Sequence, residues 1–186
     1  SETLNCTVTA TDADGQTLTA TYAWENLNTS TPLGTAQTLT LSPATAQPGE
    51  YIQCTATVDD GMGQDWAANA VIVANTDPVI DSLNITPNTG VNTSTLLTCT
   101  AATSDADGQS VSVNAIWTNS TQNTQIGTGS TLQLDPTLVQ PNDSVTCTAM
   151  ATDTTNGSDM AAVSVTVENT PPTLSGLGIA PPRCTW

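Results

Sequence analysis

The sequence predicts an all-β chain made of two copies of one small domain, each built from half-buried antiparallel strands. A repeat and a periodicity carry that expectation. Cys6-Thr-Val-Thr-Ala-Thr-Asp12-Ala-Asp14-Gly15 returns as Cys99-Thr-Ala-Ala-Thr-Ser-Asp105-Ala-Asp107-Gly108, and Trp24 returns as Trp117, at an offset of 93 residues. The same offset relates Cys54 to Cys147, Leu39 to Leu132, Leu41 to Leu134, Pro43 to Pro136 and Pro48 to Pro141. A period of that length exceeds a solenoid repeat and marks a duplicated domain. Within each copy the apolar residues recur every second position, the spacing of a strand with one buried face.

The strands follow in order. Leu4, Cys6, Val8 and Ala10 alternate with Asn and Thr; Leu18, Ala20, Tyr22 and Trp24 form a second run; Ile52, Cys54, Ala56 and Val58 form a third. Val111, Val113, Ala115 and Trp117, then Val145, Cys147, Ala149 and Ala151, repeat the pattern in the second copy. The intervening threonines are β-branched and suit the solvent face of a sheet. Asp14-Gly15, Thr31-Pro32, Gln47-Pro48-Gly49 and Asp60-Gly61 punctuate the runs as turns. No segment shows helical periodicity.

Composition limits the function. The 186 residues carry 17 acidic side chains against one basic one, Arg183, for a formal charge of -16. Such a surface cannot neutralise phosphates, which argues against nucleic acid and anionic membranes, and it favours divalent cations. No apolar run approaches a membrane span and no signal segment is present, so the chain reads as a mature or excised segment. With no His and no Lys, Ser-His-Asp and Cys-His nucleophile pairs, Schiff-base lysines and His-containing zinc sites are all excluded. A carboxylate pair remains chemically conceivable. Every acidic cluster, however, lies in a turn that the repeat duplicates, and no enzyme is expected.

Two domains of roughly 90 residues with no Phe have thin cores and benefit from covalent staples. Cys6 with Cys54, and Cys99 with Cys147, form equivalent pairs, which read as one disulfide per domain and an oxidising, extracellular compartment. The alternative is four buried free thiols. Cys184 has no counterpart in the repeat and is a candidate for an intermolecular bond.

Cysteine, tryptophan and cysteine on three alternating strands within about 90 residues resemble the immunoglobulin-like (Ig-like) sandwich. The pattern is similar to the tandem Ig-like repeats of microbial surface and fibre proteins, with their Asp-x-Asp-Gly turns and Asn-Thr-x-Pro linkers. The resemblance implies two antiparallel β-sandwiches, with the cysteines on strands B and F and Trp24 or Trp117 on strand C. Ile52 and Val145 stand where antibody-type domains carry a tyrosine two residues before the second cysteine. The linker Asn75-Thr76-Asp77-Pro78, echoed by Asn169-Thr170-Pro171-Pro172, has no flexible spacer, and its prolines predict a stiff junction.

In that sandwich the B–C and F–G turns share one end. Asp12, Asp14, Asp59 and Asp60 of the first copy, and Asp105, Asp107 and Asp153 of the second with Asp77 from the linker, are therefore candidate Ca²⁺ ligands. The plainer alternative is that Asp and Gly only make the turns. Asn5, Asn28, Asn84, Asn92, Asn119, Asn142 and Asn156 head Asn-x-Ser/Thr sequons and are candidate glycan sites. Trp66 is unmatched in the repeat and is the best candidate for a contact residue; the alternative is packing at the start of strand G or against the neighbouring domain.

The expected domain limits are 1–76, 77–170 and a tail, 171–186. Val79 to Pro87 reads as the first strand of the second domain; the first domain has no such strand before Cys6. The pattern reappears in the tail as Leu174, Leu177 and Ile179. An orphan strand and a sandwich lacking an edge strand repair one another if the tail of one copy enters the first domain of the next; the plainer alternative is that the sequence is cut at arbitrary points. The partners expected are thus copies of the chain itself, head to tail, at a cell surface. They form an extracellular filament either by strand exchange or as one continuous array; the competing expectation is an adhesin that grips glycan or protein.

Overall fold

The computed structural model describes residues 2–178, and its regular structure is entirely β. In the first sequence copy lie β1 (Thr3–Asn5), β2 (Thr19–Asn26), β3 (Thr31–Gly34), β4 (Thr38–Thr40), β5 (Tyr51–Asp59) and β6 (Gln64–Ile72). In the second lie β7 (Val79–Thr86), β8 (Leu96–Ser104), β9 (Ser112–Asn119), β10 (Thr124–Thr128), β11 (Thr131–Gln133), β12 (Ser144–Thr152) and β13 (Ser158–Thr166). The expected alternation shows directly in β5, where Ile52, Cys54 and Ala56 are buried and the residues between them are not. The two tandem antiparallel sandwiches predicted from the repeat are present, one disulfide in each.

Each copy has a four-stranded sheet of the same order, β3-β2-β5-β6 and β10-β9-β12-β13. In the first, Trp24 sits directly opposite Cys54 across the β2–β5 ladder. The tryptophan is buried and its Nε1 donates to Ala36 O at 2.8 Å; Trp117 repeats the arrangement with Gly129 O at 2.8 Å. A large apolar ring with one polar tip can fill a core only if that tip is satisfied, and here a backbone carbonyl does so. Cys6–Cys54 and Cys99–Cys147 are bonded, each spanning 48 residues of sequence. Bonded pairs displace the free-thiol alternative.

The second sheets differ. In the second copy it is three-stranded, β11-β8-β7; in the first it is two-stranded, β1-β4. The strand neighbouring β8 on its outer edge is β7, and among the described residues β1 has no such neighbour. The consequence is local. β8 runs for 9 residues whereas β1 runs for 3, so Cys6, Val8 and Ala10 keep strand-like alternation in sequence but lie outside any ladder. A strand held on one side by a short partner loses half its hydrogen bonds and frays.

Burial follows the same division. Leu97 and Val167 are fully buried, while their counterparts Leu4 and Val73 are only half-buried. Val165 is 6% exposed and its counterpart Val71 is 46% exposed. Leu174 and Leu177, expected on a strand, are 87% and 85% exposed and belong to no strand. Their counterparts on β7, Ile80 and Leu83, are half-buried. Ile179 and Cys184 lie outside the described residues.

By contact the chain divides into two compact units. One comprises Ser1–Leu83, Ala101–Asn114 and Ala149–Ala161; the other comprises Asn84–Thr100, Ala115–Thr148 and Ala162–Trp186. Among the described residues no helix is long and apolar enough to cross a membrane.

Candidate functional site

The acidic turns are built alike in both copies. Asp12 Oδ1 accepts the backbone N–H of Asp14 at 2.7 Å and of Gln16 at 3.2 Å. Asp105 Oδ1 accepts those of Asp107 at 2.8 Å and Gln109 at 3.2 Å. The following glycines close the turn at φ 74° and 72°, in the left-handed region where a side chain is unfavourable. Asp59 Oδ1 accepts from Gly61 N, and Asp60 Oδ1 from both Met62 N and Gly63 N. The backbone donors of Met62 and Gly63 hold the Asp60 carboxyl below its ordinary range. These are side-chain-to-backbone turn bonds, so the sequence pattern has a structural use.

Within the first compact unit, the linker adds contacts to the turns of the second copy. Asp107 Oδ2 accepts Thr76 N at 2.6 Å, and Asp153 Oδ2 accepts Asn75 Nδ2 at 2.9 Å. Asp153 is 6% exposed. Burial alone would raise its pKa, but Asn75 and the Thr155 and Gly157 donors outweigh that and leave it lowered. Gly157 leaves the room these side chains fill: a Cβ at that position would lie 2.6 Å from Asn75 Nδ2 and 2.6 Å from Asp77 Oδ1, and would also strike Asp153 Oδ2. The structure therefore brings Asp77, Asp153 and Asn75 around one glycine. It does not gather three or more carboxylates around a common point anywhere among the described residues. Two buried oxygens on the same turn, Asp105 Oδ2 and Gln109 Oε1, have no hydrogen-bond partner.

A pair of buried amides escaped the sequence reading. Asn26 Nδ2 donates to Glu50 Oε2 at 2.7 Å, and that carboxylate also accepts Gln47 N at 2.8 Å. Asn119 Nδ2 donates likewise to Asp143 Oδ2 at 2.7 Å, which accepts Gln140 N at 2.9 Å. Each pair pins a proline turn to the core; the offset of 93 residues between Asn26 and Asn119 was the available signal. Asn119 was expected as a glycan site. It is fully buried with its Nδ2 engaged, so a glycan there is incompatible with the fold. Asn5, Asn28, Asn84, Asn142 and Asn156 are exposed and Asn92 is half-buried.

Trp66 lies on β6 and is 69% exposed, and its counterpart Met160 on β13 is 66% exposed. Exposure at this place belongs to the strand position in both copies, not to the tryptophan. Beside β6 the first sandwich is open. A groove of about 440 Å³ runs past Val8, Ala10, Leu18, Val58, Asp65 and Trp66. A smaller one of about 200 Å³ is lined by Leu4, Cys6, Cys54, Trp24, Ile52 and Val71.

No protein-family model matches the chain, and no curated protein matches it. Among solved structures it is similar to the three N-terminal domains of the bacteriophage RB49 Highly Immunogenic Outer Capsid protein (Hoc), with 18% identity and a TM-score of 0.35. That match covers 89% of this chain and 53% of the other, so the chain spans about half the length of that structure.

Proposed function

We propose that the chain is a non-catalytic structural segment of an extracellular, cell-surface fibre, in which such sandwiches follow one another head to tail. The duplication of a whole stapled sandwich carries this reading. Both copies hold the same tryptophan, disulfide, buried asparagine and acidic turn, and in each turn Oδ1 of the leading aspartate accepts backbone amides. A binding or catalytic protein differentiates one copy around a site; a fibre repeats what bears load. The disulfides fit an oxidising exterior. Copies join either by exchanging a first strand between chains or as one continuous array, and both give an axial step of two sandwiches.

Electron microscopy and sedimentation of the native material test this. Filaments with that axial step are expected. Discrete particles that bind a glycan or protein ligand would replace the fibre by the adhesin. The exposure of Trp66 is the observation that speaks for an adhesin, and the equal exposure of Met160 weakens it.

Calcium belongs to the same proposal, as a stiffening ion for the turn end. Asp105 Oδ2 and Gln109 Oε1 are buried oxygen acceptors lacking a donor, and a hard cation would satisfy both. Binding to the folded form alone raises the melting temperature by mass action, by about 2.7 kcal/mol of stability at a hundredfold excess over Kd. An unchanged melt between chelator and millimolar calcium would leave these carboxylates as turn-formers only.

A further inference from the structure

Gly157, the glycine that the linker side chains enclose, is preceded by Asn156, and no other asparagine of the chain is followed by glycine. The pair carries a reaction of its own. The Gly157 nitrogen can attack Asn156 Cγ, because closing that bond makes a five-membered ring from neighbouring atoms. A glycine nitrogen is the least shielded nucleophile a main chain offers, since no Cβ stands beside it. The new C–N bond forms, the side-chain nitrogen leaves as ammonia with the backbone proton, and a succinimide remains. Water then opens the ring at either carbonyl. One opening gives aspartate. The other gives isoaspartate, whose main chain runs through the side-chain carbon and is longer by one methylene.

Local structure decides when this happens. Asn156 is exposed, at φ 72°, so its amide carbon is open to water. The nucleophile is not free. Gly157 N–H donates to Asp153 Oδ1 at 2.8 Å, and Gly157 O accepts Asp153 N–H at 3.0 Å. Asp153 is buried, and its other oxygen holds Asn75 Nδ2 of the linker at 2.9 Å. Before the nitrogen can reach Cγ, its peptide unit must swing about Asn156 and leave Asp153. The first copy has an equivalent hairpin without the reaction. Met62 and Gly63 stand at the matching places, and a Cβ built on Gly63 meets nothing within 4 Å. The reactive pair therefore lies in the copy whose glycine is enclosed by the linker.

We propose that Asn156–Gly157 is a latent self-modification site, shut while Asp153 grips both hairpin and linker, and that its conversion to isoaspartate releases the linker irreversibly. A methylene added to the main chain beside Gly157 has no room, because even a Cβ there would lie 2.6 Å from Asn75 Nδ2 and from Asp77 Oδ1. The turn must move outward and take the Gly157 donor from Asp153. The new carboxylate, one residue from Gly157, also adds like charge to Asp77 and Asp153. Opening is a local event set by the hairpin and the linker bonds, not by global unfolding. Deamidation therefore records the time the linker has spent detached. Asn156 also heads a sequon, and the two fates exclude each other, since a glycan is carried on the nitrogen that deamidation expels.

The test ages the full, unglycosylated chain at mildly alkaline pH. Peptic digestion and mass analysis follow each asparagine, and enzymatic methylation scores isoaspartate. Asn156 is expected to convert before any other asparagine, slowly in the folded chain and faster in urea. Asp153→Ala is expected to speed conversion about tenfold to a hundredfold, the release of a hydrogen bond to a charged group. Asn75→Ala leaves both hairpin bonds in place and removes only the linker's hold. It is expected to speed conversion less, and it carries the test if Asp153→Ala fails to fold. Hydrogen exchange reads the consequence at the Thr76 amide, which donates to Asp107 Oδ2 at 2.6 Å. That amide is expected to be protected in the fresh chain, to lose protection in the isoaspartate form, and to keep it in Asn156→Gly aged alongside. Four results each overturn the proposal: conversion no faster at Asn156 than at asparagines before Thr or Ser; equal rates folded and in urea; rates indifferent to both Asp153 and Asn75; or Thr76 protection unchanged by isoaspartate.

Discussion

Replacing Trp117 with alanine will destabilise the second sandwich by about 3–5 kcal/mol, the usual range for emptying a buried aromatic site. The residue is wholly buried, as are Leu97, Leu134 and Val145 of the same copy, and the chain has no phenylalanine to reflow into the gap. Its loss also leaves Gly129 O without the donor that lies 2.8 Å away, and a stranded buried carbonyl adds to the penalty. Trp24→Ala should cost less. Trp24 is 5% exposed, and Leu4 and Val73 beside it are half-buried, so water already reaches part of that core. Thermal melts followed by near-ultraviolet circular dichroism will separate the two: a larger fall for Trp24→Ala than for Trp117→Ala would contradict the burial order.

The same asymmetry shows how far the sequence could be read. Strand type and the sandwich were legible because Ile52, Cys54, Ala56 and their counterparts alternate without exception, and because a cysteine pair recurring with its tryptophan has few other uses. The limits of β1 were not legible. Leu4 to Ala10 alternates as well as Leu97 to Thr103 does, yet only Thr3–Asn5 joins a ladder. Alternation specifies which face is apolar; a neighbour on the free edge decides whether the backbone is held, and no local pattern encodes the neighbour. The acidic turns were legible as turns and ambiguous as ligands, since an Asp whose Oδ1 takes two amides uses the same Asp-x-Asp-Gly spelling as one that holds an ion. The sequon at Asn119 misled for a related reason. Three letters define an acceptor, but the fold put this one at the bottom of a core and used its amide to hold Asp143.

Reduction of the disulfides will unfold the first sandwich before the second. Each bridge spans 48 residues, and a loop of that size restricts the unfolded chain enough to contribute about 2–4 kcal/mol. For domains of this size, where 1 kcal/mol moves the midpoint by roughly 4–8 °C, the melting temperature should fall by about 10–25 °C. The stabilisation lost is similar in both copies, so what remains decides the order. The second sandwich keeps a third strand on its smaller sheet and a core in which Leu97, Val145, Ala151 and Val167 exclude water. The first keeps a three-residue β1 against β4, and its bridge faces an open groove, which also gives a reductant access. A melt under graded dithiothreitol should therefore resolve into two transitions, the earlier one abolished as a separate event by Cys6→Ala with Cys54→Ala and untouched by Cys99→Ala with Cys147→Ala. A single transition that shifts equally for both pairs would show that the short β1 costs the first sandwich nothing in stability.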